Sequence, residues 1–451
     1  MNNIHTNSIA SSQKRRIPYK REAAFHNIRT RNTDIPSRVG QLNEGQSKAR
    51  DLIVRGQSLF LTGNAGTGKS FCGREAIKSK NGNIAVTAAS GSAAALLGGQ
   101  TLHNLLGIKP AVGVSPAEVT KLVHGDAKES MRKLDLLVID EVSMVGAELF
   151  EQANAILQDA RDCADPFGGV QLLLVGDFLQ LKPINDAWAF ESDAWKAAGL
   201  ESAVLTESMR QEDPEFVDLL NAVRVGELGN ANESLLRSRI GSEIANPIEV
   251  HTHRKSVERA NEQGLGLLPG QAKTYTCTES GNRALLSGCP LEHRLSIKKG
   301  SAVVHLVNNR DAGLVNGSQG VIVSMREDGV IVEFADGATR TITAHSMEVI
   351  TGWRDASIYT KEGVRKTIKE PIIGARRTQI PLRLGFASTV HKAQGQTYTS
   401  ALCSLGASWE AGQAYVGLSR VSDIQGLSLT CMPRIHTDAK ALAFMKSISN
   451  D

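Results

Sequence analysis

The run Gly63-Asn64-Ala65-Gly66-Thr67-Gly68-Lys69-Ser70 constrains this chain more than any other feature. It fills the pattern G-x-x-x-x-G-K-[ST] at every position. The apolar segment Leu59–Leu61 precedes it and a helix-like stretch follows, which is the context in which the pattern carries physical meaning. Glycines let successive backbone N–H groups turn inward around phosphate oxygens, and the next helix aims its positive end at the same place. The run therefore predicts a nucleotide site, with Lys69 reaching the β- and γ-phosphates of ATP and Ser70 holding Mg²⁺.

Such a loop needs a strand that ends at it and a parallel sheet around that strand. From Val39 onward the chain supplies one. Short apolar runs at 58–61, 84–87, 134–139, 170–175 and 203–205 alternate with helix-like stretches, which predicts a parallel sheet covered on both faces. The first α/β domain is placed at 39–200. A polar, Lys-containing stretch at 109–133 interrupts it, and reads equally as a small projecting element or as a crossover with a helix. A second α/β domain is placed at 201–295 and 381–451. Between its halves, 296–380 changes character. Ser301–Val307, Gln319–Ser324, Val330–Phe334 and Arg340–Thr343 are β-rich and separated by the turns Asn316-Gly317, Asp328-Gly329 and Asp336-Gly337. Hairpin signals at such close spacing predict a small antiparallel barrel inserted into the second domain.

Other segments answer the phosphate loop. Leu136–Ile139 delivers Asp140 and Glu141 at a strand's C-terminal end, the functional edge of a parallel sheet. Asp140 is read as a Mg²⁺ ligand and Glu141 as the group that polarises the attacking water. Gln180, in Gly176-Asp177-Phe178-Leu179-Gln180 after another strand, is placed to sense the γ-phosphate through that water. Arg210 and Arg420 are the candidate arginine fingers; each is otherwise an ordinary surface ion-pair residue. If both come from the second domain, ATP lies between two domains and its hydrolysis opens and closes the cleft.

Composition narrows the rest. At 451 residues the chain has room for about three domains. Net charge is +4, but residues 1–38 carry eight Lys/Arg against two acids, so the remainder is slightly acidic. Any grip on a polyanion then comes from a local groove or from the tail, which reads as disordered. The six cysteines form no C-x-x-C pair, so neither a zinc site nor a disulfide framework is indicated, which fits a cytoplasmic protein. No apolar run approaches the length of a membrane span.

In order along the chain, further segments resemble the motifs of superfamily 1 DNA helicases of the Dda/RecD/Pif-type branch, closest to the Pif-type enzymes. Leu42–Gln46 resembles the adenine-reading glutamine motif. Val86–Ala94 and Thr101–His103 resemble motifs that touch single-stranded DNA, and Asp140–Met144 the D-E-x-S-M motif. Gly176–Pro183, Ser388–Thr397 and Tyr415–Arg420 resemble the third, fifth and sixth motifs, and Ala411–Val416 is Pif-like. Two departures stand out: Lys182 replaces the usual proline of the third motif, and Gly417 the usual alanine of the sixth.

The resemblance implies two RecA-like P-loop domains, with a small wedge insert in the first and an SH3-like β-barrel insert in the second. It implies an ATP-dependent motor on single-stranded DNA that opens forked or tailed duplexes as a monomer, moving 5′→3′. Gln46 would read adenine, and Thr87, Thr101, His103, Thr389, His391 and Lys392 would touch DNA. Aromatic residues are only 4% of the chain, so polar contacts to phosphates should outweigh base stacking. His103 and His391 could equally be core or supporting histidines, and Trp188 and Trp195 read as packing residues. Rival readings are a translocase that strips proteins but unwinds poorly, a non-catalytic single-strand binder, and a P-loop kinase.

Overall fold

Residues 42–449 are described in the computed structural model apart from 90–93, 95–98, 109–112, 124, 210, 212, 245–246, 288, 308, 310–311, 315, 335 and 360–364, together with the two-residue strand Ile28–Arg29. The tail over 1–38 otherwise lies outside the described residues. That short strand pairs antiparallel with Ile84 and Ala85.

The first body is built on β1 (Leu59–Gly63), β2 (Ile84–Ala88), β3 (Leu136–Asp140), β4 (Gln171–Val175) and β5 (Glu201–Leu205). They lie in the order β2-β3-β4-β1-β5, and every neighbouring pair is parallel. Successive strand side chains point to opposite faces, and the clusters follow that rule. Leu137 and Ile139 join Phe150, Ile156 and Leu157 of helix α3 (Ala147–Arg161). Leu136 and Val138 join Ala49 and Ile53 of α1 (Glu44–Val54), with Cys72 and Ala76 of α2 (Lys69–Ser79). Both faces are covered, which is why the strands read as continuous apolar runs.

Helices Pro116–Leu122 and Gly125–Arg132 occupy most of the segment 109–133. They bury Val119, Val123, Ala127 and Met131 in the cluster that contains α3. Of their large apolar residues Leu122 faces solvent, at 61% exposure.

The second body carries α4 (Pro214–Val225), β6 (Ile248–His251) and α5 (Arg254–Leu267) before the insertion. After it come β7 (Ala387–Thr389), α6 (Val390–Ala393), β8 (Ala401–Ser404), α7 (Gln413–Leu418) and β9 (Leu427–Leu429). Its sheet is parallel, in the order β7-β6-β8-β9. The intervening strands Ala302–His305, Gln319–Met325, Gly329–Phe334, Thr339–Thr343 and Leu382–Leu384 form an antiparallel sheet, close to the segments read from the turns. The insertion is larger than 296–380. Lys273–Thr276 pairs with Arg294–Ile297, and Tyr275, Leu295 and Ile297 share the insert's core. A hairpin of two 15-residue strands, His345–Tyr359 and Arg365–Gln379, was not anticipated.

The chain's end departs from the expected division. Helix α8 (Ala439–Ser449) packs on the first body, not the second. Phe444 stacks on Phe190 with ring centroids 4.3 Å apart and planes 2° from parallel, and it also meets Phe60, Phe178 and Trp195. Lys440 pairs with Glu191. Trp188 and Trp195 belong to the same buried aromatic cluster. Aromatic attraction outweighs chain proximity here, and the bodies are joined by the returning segment 430–438 as well as by 206–213. Phe444→Ala should therefore destabilise the first body by about 2 kcal/mol, less than for a fully buried ring. Urea unfolding followed by tryptophan fluorescence measures this; an unchanged midpoint would mean that α8 is not anchored.

Candidate functional site

At the C-terminal edge of the first sheet, β1 ends in the loop Gly63–Ser70 and β3 ends in Asp140 and Glu141. Strand β4 lies between them and ends before Gly176, so Gln180 is delivered to the same edge. Gly68 is left-handed, with φ +76°, and an added Cβ would come within 2.7 Å of Gln46 Nε2. Lys69 folds its ammonium over the loop, donating to Gly63 O at 2.8 Å and Asn64 O at 2.9 Å. Thr67 Oγ1 donates to Asn64 O. Ser70 Oγ donates to Asp140 Oδ2 at 3.2 Å, so the hydroxyl and carboxylate expected to share a cation do meet. Burial, and then the charge of Glu141 alongside, push the Asp140 carboxyl up to about 7. A hydroxyl beside a buried carboxylate is a suitable donor set for a hard divalent cation.

Gln46 is fully buried, and its amide is spent locally. Its Oε1 accepts from the Asn43 N–H in a capping box for α1, and its Nε2 donates to Thr67 O at 3.1 Å. It braces the phosphate loop from behind. Gln180 is buried at the seam between the bodies. Gly412, with φ +79°, passes so close to it that an added Cβ would lie 2.3 Å from Gln180 O.

The second body grips this edge through four contacts. Ala65 N–H donates to Tyr415 Oη at 2.6 Å, and Asn64 Nδ2 donates to Asn221 Oδ1 at 2.7 Å. Arg224 on α4 forms a two-pronged ion pair with Asp177, at 3.0 and 2.9 Å. Burial alone would raise the Asp177 carboxyl, but the Arg224 guanidinium holds it below its ordinary value. Gln394 Nε2 donates to Glu141 Oε2 at 3.0 Å. Arg420 is 3% exposed and braces its own surroundings, donating to Val416 O, Ala393 O and Gln396 O. Burial disfavours its charge, and Glu141 is first among the groups that offset this. Arg210 lies outside the described residues. Its neighbour Met209 donates its N–H to Gly66 O at 2.7 Å, so the chain there rests on the phosphate loop.

The residues expected on DNA divide. Thr101 caps helix Leu102–Leu106, and His103 sits half-buried on that helix, its pKa lowered by burial. Thr389 caps α6, and His391 Nε2 lies 3.0 Å from Glu410 Oε2. Lys392 reaches solvent at the mouth of a 460 Å³ cavity lined also by Arg254, Arg294 and Arg383. Desolvation by the cavity wall, then Arg383 and Arg254, lower it to about 8. Thr87 is a correction: it is fully buried in β2 and its hydroxyl donates to Val138 O, so it cannot face a strand. Lys182 lies over the Trp188 ring, 5.9 Å from its centroid, which accounts for it without a phosphate.

Sequence reasoning missed Tyr415 and Asn221 as partners of the loop, Arg224 as the partner of Asp177 and Gln394 as the partner of Glu141, and it missed Trp409. Trp409 is 60% exposed beside Glu410, with the His253 ring 6.4 Å away. Cys277, Glu279 and His293 gather ligand atoms within 4.8 Å, but Glu279 is already paired with Arg377 and Arg283. Among the described residues no helix is long and apolar enough to cross a membrane.

Residues 41–234 match the family described as PIF1-like helicase. The chain is 31% identical over 426 residues to the ATP-dependent DNA helicase Pif1 of Bdellovibrio bacteriovorus, covering 91% of this chain and 93% of that one. It is 33% identical over 438 residues to the ATP-dependent DNA helicase PIF1 of Rattus norvegicus, covering 92% of this chain but only 65% of the rat protein, just under two thirds of its length. The Pif1 helicase from Candida albicans superposes with a TM-score of 0.80 at 29% identity, over 91% of this chain and all of that one. A Bacteroides Pif1 bound to single-stranded DNA superposes with a TM-score of 0.77 at 26% identity, over 91% of this chain and 98% of that one.

Proposed function

The chain belongs to the PIF1-like helicase family, and from that premise we propose that it is an ATP-dependent DNA helicase that moves on single-stranded DNA and opens forked or tailed duplexes. The observation that carries this reading is the grip of the second body on the nucleotide edge. Ala65, Asn64, Asp177 and Glu141 each bond to a residue of the second body. A change at the γ-phosphate is thereby felt by both bodies, which a simple nucleotide binder or a small-molecule kinase does not need.

Each residue has a role in this reading. Lys69 and the N–H groups of 64–70 hold the ATP phosphates. Ser70 and Asp140 are the residues that would hold Mg²⁺, whose charge would offset that of the β- and γ-phosphates. Glu141 orients and deprotonates the attacking water, Gln180 orients that water, and Arg210 and Arg420 stabilise the transferring phosphoryl group. Thr101 and His103 on the first body, and Thr389, His391 and Lys392 on the second, contact the DNA backbone. Trp409 adds a stacking surface, worth about 1–3 kcal/mol per base. The two packed helices at 116–132 serve as the wedge, with exposed Leu122 towards the fork. The antiparallel insert is the SH3-like element of such motors. Movement is 5′→3′ and a monomer suffices.

Single-stranded DNA should raise the ATP turnover of the full chain by at least about tenfold, because DNA and ATP residues share one pair of sheet edges. Phosphate release measured with and without oligo-dT tests this. Equal rates would remove the motor reading and leave a binding protein. Strand displacement on duplexes with a single 5′ or 3′ tail then separates a helicase from a translocase and reports direction.

A further inference from the structure

Gln394 sits where the two halves of the site meet. It caps the C-terminal end of α6, the four-residue helix that carries His391 and Lys392 and begins at Thr389. It also reaches across 253 residues of chain to Glu141, its Nε2 donating to Oε2 at 3.0 Å. The other Glu141 oxygen faces Gly395, where an added Cβ would come within 3.4 Å. The carboxylate expected to act on water is therefore enclosed by residues 394 and 395 of the second body. Glu141 itself is left-handed, with φ 51° and ψ 45°, a conformation uncommon outside glycine. Gln394 and Gly395 therefore bound the space in which its side chain can point.

Packing does not explain this glutamine. The side chain is 7% exposed, and its Oε1 meets no donor among the described residues. A buried acceptor left unused costs stability. Turning the amide over would be worse, since its oxygen would then face the carboxylate. What the amide supplies is the bond to Glu141.

The segment around it is stiff. Arg420 donates to Ala393 O at 3.4 Å and to Gln396 O at 3.1 Å, on either side of Gln394. Gln394 N–H also closes the helix by donating to Val390 O. A displacement of α6 at Thr389, His391 or Lys392 has little slack in which to dissipate before it reaches the Gln394 side chain.

We infer that Gln394 is a positioning residue that couples a strand held on α6 to the placement of the Glu141 carboxylate, and so makes ATP hydrolysis answer to single-stranded DNA. This rests on the helicase reading above. A ligand changes a rate only through contacts that differ between two arrangements, and among the four contacts between the bodies the Gln394–Glu141 bond is the one that joins α6 to the carboxylate assigned to the attacking water.

The test is Gln394→Met in the full chain, with Gln394→Glu beside it; the second keeps the size but replaces the donor with an acceptor. ATP turnover at saturating ATP is measured with and without excess oligo-dT. The KM for ATP, the oligo-dT Kd by fluorescence anisotropy and the melting temperature are measured on the same samples. The ratio of turnover with DNA to turnover without it should fall by at least about fivefold in both variants. The oligo-dT Kd and the KM should stay within about twofold of the parent, and both variants should still unfold in a single cooperative transition. A ratio equal to the parent's, or one that falls only in step with weaker DNA binding, overturns the inference. A parent whose turnover ignores oligo-dT overturns the helicase reading itself, and is told apart by that control. If Gln394→Met fails to fold, packing was its role and the inference falls, unless a folded Gln394→Glu shows the lost ratio.

Discussion

Lys69→Ala should lower ATP turnover by at least about 10²–10³-fold and stop strand displacement, while oligo-dT binding stays within about twofold. The size of the effect follows from what else is available at the loop. Arg224 is committed to Asp177, and Arg420 is assigned to the transferring phosphoryl group from the second body, so neither takes the place of the loop's own ammonium on the phosphates. Lys69 is already held over the loop by Gly63 O and Asn64 O, and needs only to exchange those carbonyls for phosphate oxygens. The residues proposed to touch DNA lie on other elements: Thr101 and His103 on the helix at 102–106, and Thr389, His391 and Lys392 on α6. Phosphate release and fluorescence anisotropy on the same preparation separate the two functions. A variant that keeps a tenth of the parent's turnover would show that the loop is not the hydrolytic site.

The parts of this site that were legible in the sequence are those made by contiguous residues. Gly63–Ser70 fixes its own backbone, and Leu136–Glu141 is a strand with its acids attached. The insert announced itself through turns, because Asn-Gly and Asp-Gly pairs act within a few residues. What escaped is what depends on distant partners. Tyr415 is 350 residues from Ala65, and Asn221 is 157 from Asn64. Periodicity says that such side chains are buried, but not against what. Thr87 could have been read better. A threonine on a strand of a parallel sheet covered on both faces is buried, and here its hydroxyl is taken by a carbonyl of the neighbouring strand. The strands Lys273–Thr276 and Arg294–Ile297 were missed because Lys, Thr, Arg and Ser outnumber apolar residues in them. Helix α8 carries an ordinary apolar face, which does not say whether it covers the nearer body or the farther one.

These long-range contacts change how motion between the bodies must be pictured. The bodies are joined by two chain crossings, one before α4 and one before α8. They also share apolar packing, since Ala65 and Leu181 sit in the second body's cluster. Opening the nucleotide cleft cannot be free hinge motion about a single linker. It has to break or shift a small number of polar contacts, and of the four described above the Asp177–Arg224 pair alone joins two charged groups.

Arg224→Ala should therefore be among the most destabilising single changes available to this chain. Asp177 is fully buried and Arg224 is only 12% exposed. Removing the guanidinium leaves a buried carboxylate whose remaining hydrogen-bond donor among the described residues is the Leu179 N–H. Breaking such a pair from one side costs about 3–5 kcal/mol. The pH dependence identifies the cause. In the parent, Arg224 holds the Asp177 carboxyl below its ordinary value. A lowered carboxyl contributes stability that is fully present above the unfolded value near about 4 and is lost as pH falls through the lower folded value. In Arg224→Ala burial, which raises the carboxyl, is the largest influence left, set against the Lys69 charge and the Leu179 N–H, so protonation relieves the folded state. The stability gap between parent and variant should be widest at neutral pH and narrow as pH falls to about 4 and below. Urea unfolding of both proteins at a series of pH values measures the gap. A gap that stays constant with pH would assign the loss to packing of the arginine stem rather than to the ion pair. Because Asp177 also anchors the turn that carries Gln180, ATP turnover of the folded variant should fall as well. Replacing both members, as Asp177→Leu with Arg224→Met, should recover much of the stability. It should not recover turnover, which separates the pair's part in holding the fold together from its part in holding Gln180 at the phosphate edge.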